Sequence, residues 1–497
     1  MNNQSQVLTI REKVGYSLGD LAANLVFQTM VTFIAYYYTD VYKLEPSTAQ
    51  WVIATCGILG GVLFAPVMGV IADRTRTRWG RYRPWILWTS VPFGVMVLLT
   101  FTTPDVSYEM KVVYAFATYL ALVTLYTANN LPYSSLSGVL TGNMSQRNSL
   151  SSYRFVAVMV AQFTVQVLLR PIVLILGDGD EAVGFEKIMT IFAIVGVIFF
   201  LITFFTTRER VIEKPGETST IRQDLGDLLL RNIPWVILLC VTILVFTNLA
   251  LKGGTYVYYF KYYASQVAIT QFLSGIGFTG LIAGIQDIWP NFQWPEDPDA
   301  SAFALFNGAG IIMMIVGIGF ARPLADRFGK RNVFGIFLFL SALPLIAFMG
   351  VPRESIGLMF FLQILHGFFY GVTIPLLWAM TADVADYSEW RNYRRATGII
   401  FSAMILGLKG GLTLGGTLVV TFLAAYGYEA GVAEQTAESI LGIKLTMSVY
   451  AAVPFLIACG LLFFYRINKS LEDEIEQELG SRRTEPEPAP EPDEPTL

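Results

Sequence analysis

Charged and amide side chains recur at helical spacing inside segments of the chain that are otherwise apolar. In the first of these segments, Asp20, Asn24 and Gln28 follow one another at intervals of four residues, which places them on one face of a helix. A carboxylate in hydrocarbon is costly, so it faces the interior of a helical bundle or a wet cavity. A structural pairing with a neighbouring helix is the alternative. The spacing favours a polar face that binds a ligand or exchanges a proton.

Other apolar segments carry further polar positions. These are Thr127 with Asn130, Arg154, Lys252 with Tyr256, Gln363 with His366 and Tyr370, Trp378, Arg391 and Lys409. For the neutral ones, hydrogen bonding between helices is an alternative role. A lone histidine is a satisfied packing residue more often than a proton carrier. A lysine deep in a span is unfavourable unless it is paired or hydrated.

The balance of charge among these positions points to the ligand. Asp20 is the one clear acid, whereas Lys252 and Arg154 are bases within or near the spans. An excess of positive charge favours an anionic ligand, and arginine suits carboxylate or sulfonate oxygens. Alternatively, each base pairs with an acid near the end of a span and never meets the substrate. Those acids are Asp383, Asp386 and Glu389.

The elements that position these residues are membrane spans. The chain has 497 residues, of which 54% are hydrophobic and 14% charged, against about 25% charged in soluble domains. We therefore predict an all-α membrane protein with two bundles of six helices. The spans are predicted near 14–42, 46–72, 84–103, 109–140, 150–176, 187–206, 234–262, 302–321, 332–351, 356–383, 395–427 and 444–466.

Two related basic loops set the orientation of the spans. Five arginines follow Asp73 within the loop that ends at Arg83, and a shorter copy begins at Asp326 and Arg327. Such loops remain on the cytoplasmic side, which puts both termini in the cytoplasm. We expect Asp73 with Arg74, and Asp326 with Arg327, to act as gating residues that latch the cytoplasmic side through charge pairs.

Composition also divides the chain into domains. We predict an N-terminal bundle over 1–206, a cytoplasmic connector over 207–233 and a C-terminal bundle over 234–467. An extracellular insertion covers 265–299, and a disordered acidic, proline-rich tail covers 468–497. The polar N-terminus lacks the pattern of a signal peptide. The three cysteines lie in apolar runs and indicate neither a disulfide framework nor a metal site.

Several motifs carry a family resemblance over nearly the whole chain outside the insertion and the tail. They are the stretches Gly15–Asp20, Tyr36–Tyr42, Asp73–Trp85, Tyr258–Tyr262 and Asp383–Arg391. Together they resemble the glycoside–pentoside–hexuronide:cation symporters, the melibiose permease-like branch of the major facilitator superfamily. The resemblance implies a twelve-helix fold with a sugar site between two halves.

The resemblance also assigns roles to individual positions. Asp20 stands where the family places a sugar-binding acid, Arg154 matches an arginine of the sugar site, and Arg391 stands at a basic position. Asn130 falls where members that bind melibiose have a second aspartate, and Ser134 where they have a tryptophan. Loss of a negative charge beside retained bases favours an acidic sugar over a neutral galactoside.

The cation site departs further from the family pattern. Sodium-coupled members have two aspartates at the positions that hold Gly61 and Ala65 in this chain. Thr127 resembles another residue of that site but cannot hold sodium alone, because a hard cation needs several oxygen ligands. We therefore expect coupling to protons rather than sodium, with Asp20 as the leading proton carrier and His366 as the second candidate.

These observations predict a proton-coupled secondary transporter that imports an acidic glycoside or oligosaccharide by alternating access. We expect a multi-pass monomer in the lipid bilayer of the bacterial inner membrane, without a cofactor, a metal or a nucleic-acid partner. An enzyme is disfavoured because no nucleophile–base pair is recognisable. A lipid or lysolipid transporter of the same fold, an uncoupled sugar facilitator and a sugar sensor remain as alternatives.

Overall fold

The computed structural model of the chain describes residues 7–141, 144–210, 232–288, 294–295, 297–392, 397–432 and 434–484. Most of the predicted connector and the end of the predicted tail, residues 211–231 and 485–497, lie outside the described part. The described residues are helical except for short loops and one isolated β-bridge between Thr77 and Gly80.

The first half contains six spans, several of which pass through a short π-helix. Helix α1 (Ile10–Tyr36) continues as a π-helix over Tyr37–Val41, and α2 (Pro46–Cys56) continues through the π-helix Gly57–Leu63 into α3 (Phe64–Arg74). Then follow α4 (Arg83–Thr100), α5 (Tyr108–Leu140), α6 (Met144–Phe163), the π-helix Thr164–Leu168, α7 (Leu169–Gly177) and α8 (Glu181–Thr206).

The second half repeats this arrangement and adds two elements. Helix α9 (Ile233–Tyr258) continues as the π-helix Tyr259–Tyr263, after which come α10 (Gln266–Gly275), α11 (Phe278–Ile288), α12 (Pro298–Phe328), α13 (Lys330–Ala347) and α14 (Ile356–Asn392). Then follow α15 (Thr397–Ala425), α16 (Ala437–Leu445), the π-helix Thr446–Tyr450, α17 (Ala451–Leu462) and α18 (Lys469–Thr484). Each predicted span falls on one α-helix or on α-helical segments that a π-helix continues or joins.

Length and composition explain these helices as spans. Eleven of the described helical segments are long and apolar enough to cross a membrane. Helix α4, with 18 residues, packs against α5 and α8 and completes the first six-helix bundle. Helices α10 and α11 form a pair bent by 70° inside the predicted insertion.

Local sequence features fix where the helices begin and how closely they pack. Thr9 and Glu12 form a reciprocal capping box at the start of α1, which satisfies backbone N–H groups that have no helical partner. Helices α12 and α14 approach so closely that a Cβ atom on Gly371 would collide with the backbone carbonyl of Met314. Glycine is therefore required at this crossing.

The prediction of a disordered tail from residue 468 is wrong for Lys469–Thr484, which form α18. This helix buries Ile475 and Leu479 and is held by Lys330, whose Nζ lies 3.6 Å from Glu472 and 2.6 Å from Asp383. Burial beside Asp383 raises the pKa of Glu472. The acidic composition concealed an apolar stripe at four-residue spacing, which is enough to dock an amphipathic helix.

The two halves meet along a small set of helices. Helix α1 packs against α9 and α15, and α2 packs against α15. The π-helix Thr164–Leu168 and α7 both pack against α12. Two cavities lined by α1 lie among these contacts.

Candidate substrate and proton site

A cavity of about 50 Å³ lies between the two halves. Its lining comes from α1, α6 and the π-helix Thr164–Leu168 in the first half, and from α9, α12 and α14 in the second. It brings together six of the predicted site residues, Gln28, Lys252, Tyr256, Gln363, His366 and Tyr370. It also includes Gln162, Gln166 and Asn307, which are not among the predicted binding residues. A single asparagine in an apolar run, such as Asn307, gives no pattern from which to predict it.

Lys252 is buried in this central cavity without a carboxylate in the described lining. Its Nζ contacts Nε2 of His366 and lies 5.1 Å from the ring centroid of Tyr370. On the other side of the imidazole, Nδ1 lies 2.8 Å from the carbonyl oxygen of Ser341. Nδ1 also lies 3.0 Å from Oγ of Ser341, which can donate or accept. Because the carbonyl oxygen only accepts hydrogen bonds, it favours the tautomer of neutral His366 with the hydrogen on Nδ1, in which the Nε2 lone pair faces the lysine.

Neutral hydrogen-bonding groups surround this lysine. The hydroxyl of Tyr256 donates to Oε1 of Gln363 at 3.0 Å. Gln28 from α1 and Gln166 from the π-helix Thr164–Leu168, both in the first half, line the same space. Amide and hydroxyl groups arranged around a cavity can exchange hydrogen bonds with the hydroxyls of a polar ligand and fix its orientation.

Asp20 and Arg154 form a separate polar group. Nε of Arg154 donates to Oδ2 of Asp20 at 2.9 Å, and Nδ2 of Asn24 donates to Oδ1 of Asp20 at 3.2 Å. The guanidinium also lies 5.7 and 5.5 Å from the ring centroids of Tyr16 and Tyr133, which stack on each other. The side chain of Asp20 is 5% exposed and that of Arg154 29%. The acid and base are thus paired with each other and line neither of the two cavities.

A second cavity of about 80 Å³ lies between α1 and α5 of the first half and α15 of the second, and it shares Val31 of α1 with the central cavity. Gly61, Thr127 and Lys409 line it, together with mostly apolar and aromatic side chains. Nζ of Lys409 lies 5.7 Å from the ring centroid of Tyr126. The buried hydroxyl of Thr127 has no hydrogen-bond partner among the described residues. The predicted substrate residue Thr127 therefore lines a different cavity from Lys252.

The remaining predicted binding residues line neither cavity. Asn130 and Trp378 are half-buried in α5 and α14, and Trp378 packs against the apolar core. Arg391 is exposed in the last turn of α14, where Nη1 donates to the hydroxyl of Tyr387 at 2.8 Å. The structure does not bring these three residues to the central cavity.

The predicted gating residues lie at the end of the molecule where α1 begins. Arg74, Asp326 and Arg327 are exposed, and Asp326 approaches Arg322 at 3.7 Å within its own half. The side chain of Asp73 lies outside the described part. The described contacts of these residues do not bridge the two halves.

The halves are joined at the opposite end by a cluster that sequence reasoning missed. Buried Asp40 accepts hydrogen bonds from Lys261 at 3.3 Å, from Tyr428 at 2.6 Å and from Tyr262. Beside it, Arg170 pairs with Asp299 at 2.6 Å. The signal was present in the tyrosine-rich runs around Asp40 and Lys261, but the sequence does not reveal that they face each other. We call these six residues the Asp40 cluster.

Known proteins match this chain in fold and over most of its length. The family model described as "MFS/sugar transport protein" matches residues 15–293 and 297–469. The inner membrane symporter YicJ of Escherichia coli (strain K12) is 32% identical over 459 residues, 92% of this chain and 91% of the relative. The isoprimeverose transporter of Lactiplantibacillus pentosus is 29% identical over 92% of this chain and 89% of the relative.

The solved structures agree on the architecture. The crystal structure of the nucleoside transporter NupG superposes with a TM-score of 0.57 at 15% identity and covers 92% of this chain and 100% of that chain. This likeness shows the two-bundle fold of the major facilitator superfamily. Together with the family match, it shows that the chain is a membrane transporter that belongs to the MFS/sugar transport protein family, in its branch of glycoside–pentoside–hexuronide:cation symporters.

Proposed function

We propose that the protein is a proton-coupled symporter of the bacterial inner membrane that imports a glycoside or oligosaccharide bearing a uronate or sulfonate. The family description and the names of the relatives support cation-coupled sugar transport. One observation carries the acidic substrate: Lys252 lines the central cavity, and no aspartate or glutamate belongs to the described lining.

The charge of this lysine explains the preference. A positive charge on Lys252 is costly in a low-dielectric cavity without a counter-charge. The acid group of the substrate supplies that charge, while Gln28, Gln363 and Tyr256 bind the sugar hydroxyls. Arg154 contributes less to binding of the acid group than its charge suggests, because Asp20 already pairs with it.

The second cavity supports protons over sodium as the coupling ion. Gly61 and Thr127 line it without a carboxylate among the described lining residues, and Lys409 faces the same space. A hard cation needs several oxygen ligands, and the ammonium of Lys409 repels it. A proton requires only one titrating group.

Alternating access of a monomer accounts for the asymmetry between the two ends. The Asp40 cluster closes one end, whereas the basic loop from Arg74 to Arg83 lies at the other. Positive loops face the cytoplasm, so the closed end faces outward, and the start of α1 and helix α18 face the cytoplasm.

A matched pair of ligands tests the substrate class. We expect purified protein to bind methyl β-D-glucuronide more tightly than methyl β-D-glucoside. Lys252→Ala should weaken binding of the glucuronide by about 10- to 100-fold, since a charge-assisted hydrogen bond contributes about 1.5–3 kcal/mol. It should weaken binding of the glucoside far less. Lys187→Ala, which removes an exposed lysine on α8, is the control.

Equal losses for both ligands in Lys252→Ala would contradict the acidic substrate. Transport in proteoliposomes separates the coupled symporter from an uncoupled facilitator. An inward proton gradient should drive uptake of the glucuronide above its external concentration, and uptake that stops at equilibrium would contradict coupling.

A further inference from the structure

We infer that Lys252 and His366 together hold the transported proton, an assignment that rests on the proposed function. The pair takes up this proton from solution when the acid group of the substrate binds beside Lys252. The two side chains come from α9 and α14, the helices that line the central cavity in the second half.

The hydrogen bonds of His366 leave one proton to be shared by the pair. Nδ1 donates to the carbonyl of Ser341, so the lone pair on Nε2 accepts from Nζ of Lys252. A neutral lysine amine and an ammonium can both donate this hydrogen bond. The pair therefore keeps its geometry with no added proton and with one, and a second added proton would place two positive charges in contact.

Among the described residues around the pair, no other group titrates near neutral pH. In the described lining, the remaining titratable side chains are the phenols of Tyr256 and Tyr370, which ionise only in strongly basic solution. The other elements packed around the pair present Gln28 from α1, Gln166 from the π-helix, Asn307 from α12, Ser341 from α13 and Phe455 from α17. An added proton on the pair therefore lacks a fixed counter-charge.

This lack of a counter-charge links the proton to the substrate. Without a ligand, the neutral pair avoids a buried unpaired charge. A bound carboxylate or sulfonate brings one negative charge, and one proton taken onto the pair neutralises it. By reciprocity, the proton strengthens binding of the acid as much as the acid strengthens binding of the proton. The two then cross the membrane as a neutral load, which is symport from a single site.

Asp20 is less suited to this role because its charge is already balanced. Arg154 donates to it at 2.9 Å and remains a cation at any accessible pH. Protonation of Asp20 would leave that guanidinium unpaired. Substrate binding at the central cavity is therefore not expected to cause proton uptake by Asp20.

Calorimetric titration of methyl β-D-glucuronide into the full-length protein tests the assignment. Measured at pH 7.5 in two buffers of different ionisation enthalpy, the difference in binding enthalpy gives the number of protons taken up. We expect close to one proton per bound glucuronide. We also expect the Kd to rise by up to about tenfold per pH unit in the alkaline range, as linkage to one proton requires, while the Kd for methyl β-D-glucoside stays constant.

Variants place the proton on the pair. Lys252→Arg keeps the positive charge but cannot release it, so the glucuronide should bind without proton uptake and with a Kd that no longer depends on pH. Asp20→Asn alters an interior acid outside the pair, and Lys409→Gln alters the lysine of the second cavity. Both variants should retain proton uptake. The pH dependence of Kd in the unaltered protein provides the same readout if Lys252→Arg fails to fold.

Each contrary outcome has a separate meaning. Glucuronide binding without proton uptake would overturn the pair as proton site and leave the acidic substrate standing. Proton uptake that survives in Lys252→Arg but disappears in Asp20→Asn would move the proton to Asp20. Failure of the unaltered protein to bind the glucuronide would overturn the proposed function together with this inference.

Discussion

At the scale of residues, two interior bases differ in how their charge is balanced. Arg154 pairs with Asp20 and lies against Tyr16 and Tyr133, so the group as a whole is neutral. Lys252 meets a neutral imidazole. The first arrangement stabilises the way α1 packs on α6, whereas Lys252 has no carboxylate beside it in the described lining of the central cavity.

The pairing of Asp20 with Arg154 predicts strong energetic coupling between them. Asp20→Asn and Arg154→Gln should each lower the Tm of the detergent-purified protein, since either change leaves a partly buried polar partner unmatched. The double variant should lose less than the sum of the two. Partners in one ion pair typically show coupling of about 0.5–3 kcal/mol. Additive effects would contradict a structural pair and return Asp20 to the list of free acids.

Helical spacing was sufficient to predict which residues share a face but not which partner each one meets. Gln363, His366 and Tyr370 do line one cavity together, because their spacing is a property of a single helix. Asp20 and Lys252 were both predicted to bind the substrate, yet Asp20 pairs with Arg154 and does not line the cavity that holds Lys252. Such pairing depends on the relative rotation and height of neighbouring helices, which one helix does not encode.

At the scale of elements, π-helices mark the ends at which the halves meet. The π-helix Tyr37–Val41 carries Asp40, and the π-helix Tyr259–Tyr263 carries Lys261 and Tyr262. A π-helical turn adds a residue to the helix and redirects the side chains that follow it. Here it coincides with the segment in which Asp40 faces the opposite half.

Loss of the charge on Asp40 should loosen this closed end. In Asp40→Asn, Lys261 loses its ionic partner and the tyrosines Tyr262 and Tyr428 donate to a weaker acceptor. We expect spin labels at the exposed positions Ser47 and Glu429 to show a longer and broader distance distribution than in the unaltered background. Asp178→Asn, an exposed residue at the same end, is the control, and identical distributions in both variants would contradict a gate at Asp40.

At the scale of the whole molecule, α1 lines two cavities that each receive a lysine from the second half. Lys252 enters the hydrogen-bonding cavity and Lys409 enters the apolar one beside Gly61 and Thr127. The twelve spans and their division into halves could be predicted from composition alone, because hydrocarbon imposes long apolar helices. The placement of Lys409 opposite Gly61 could not, since it depends on how the halves dock.

This docking predicts that sodium has no effect on the unaltered protein. The Tm should be the same in sodium chloride and in potassium chloride at equal concentration, because Lys409 faces a cavity without a carboxylate in its described lining. A Cβ atom on Gly61 would meet Val123 at 3.6 Å, an ordinary contact, so a side chain can begin there without a clash at Cβ. In Gly61→Asp combined with Lys409→Gln, the new carboxylate and the hydroxyl of Thr127 become oxygen ligands without an opposing ammonium. Sodium at ten times its Kd should then stabilise the variant by about 1.4 kcal/mol, whereas Gly61→Asp alone, in which the carboxylate pairs with Lys409, should not respond. A sodium response in the unaltered protein would contradict the exclusion of sodium by Lys409.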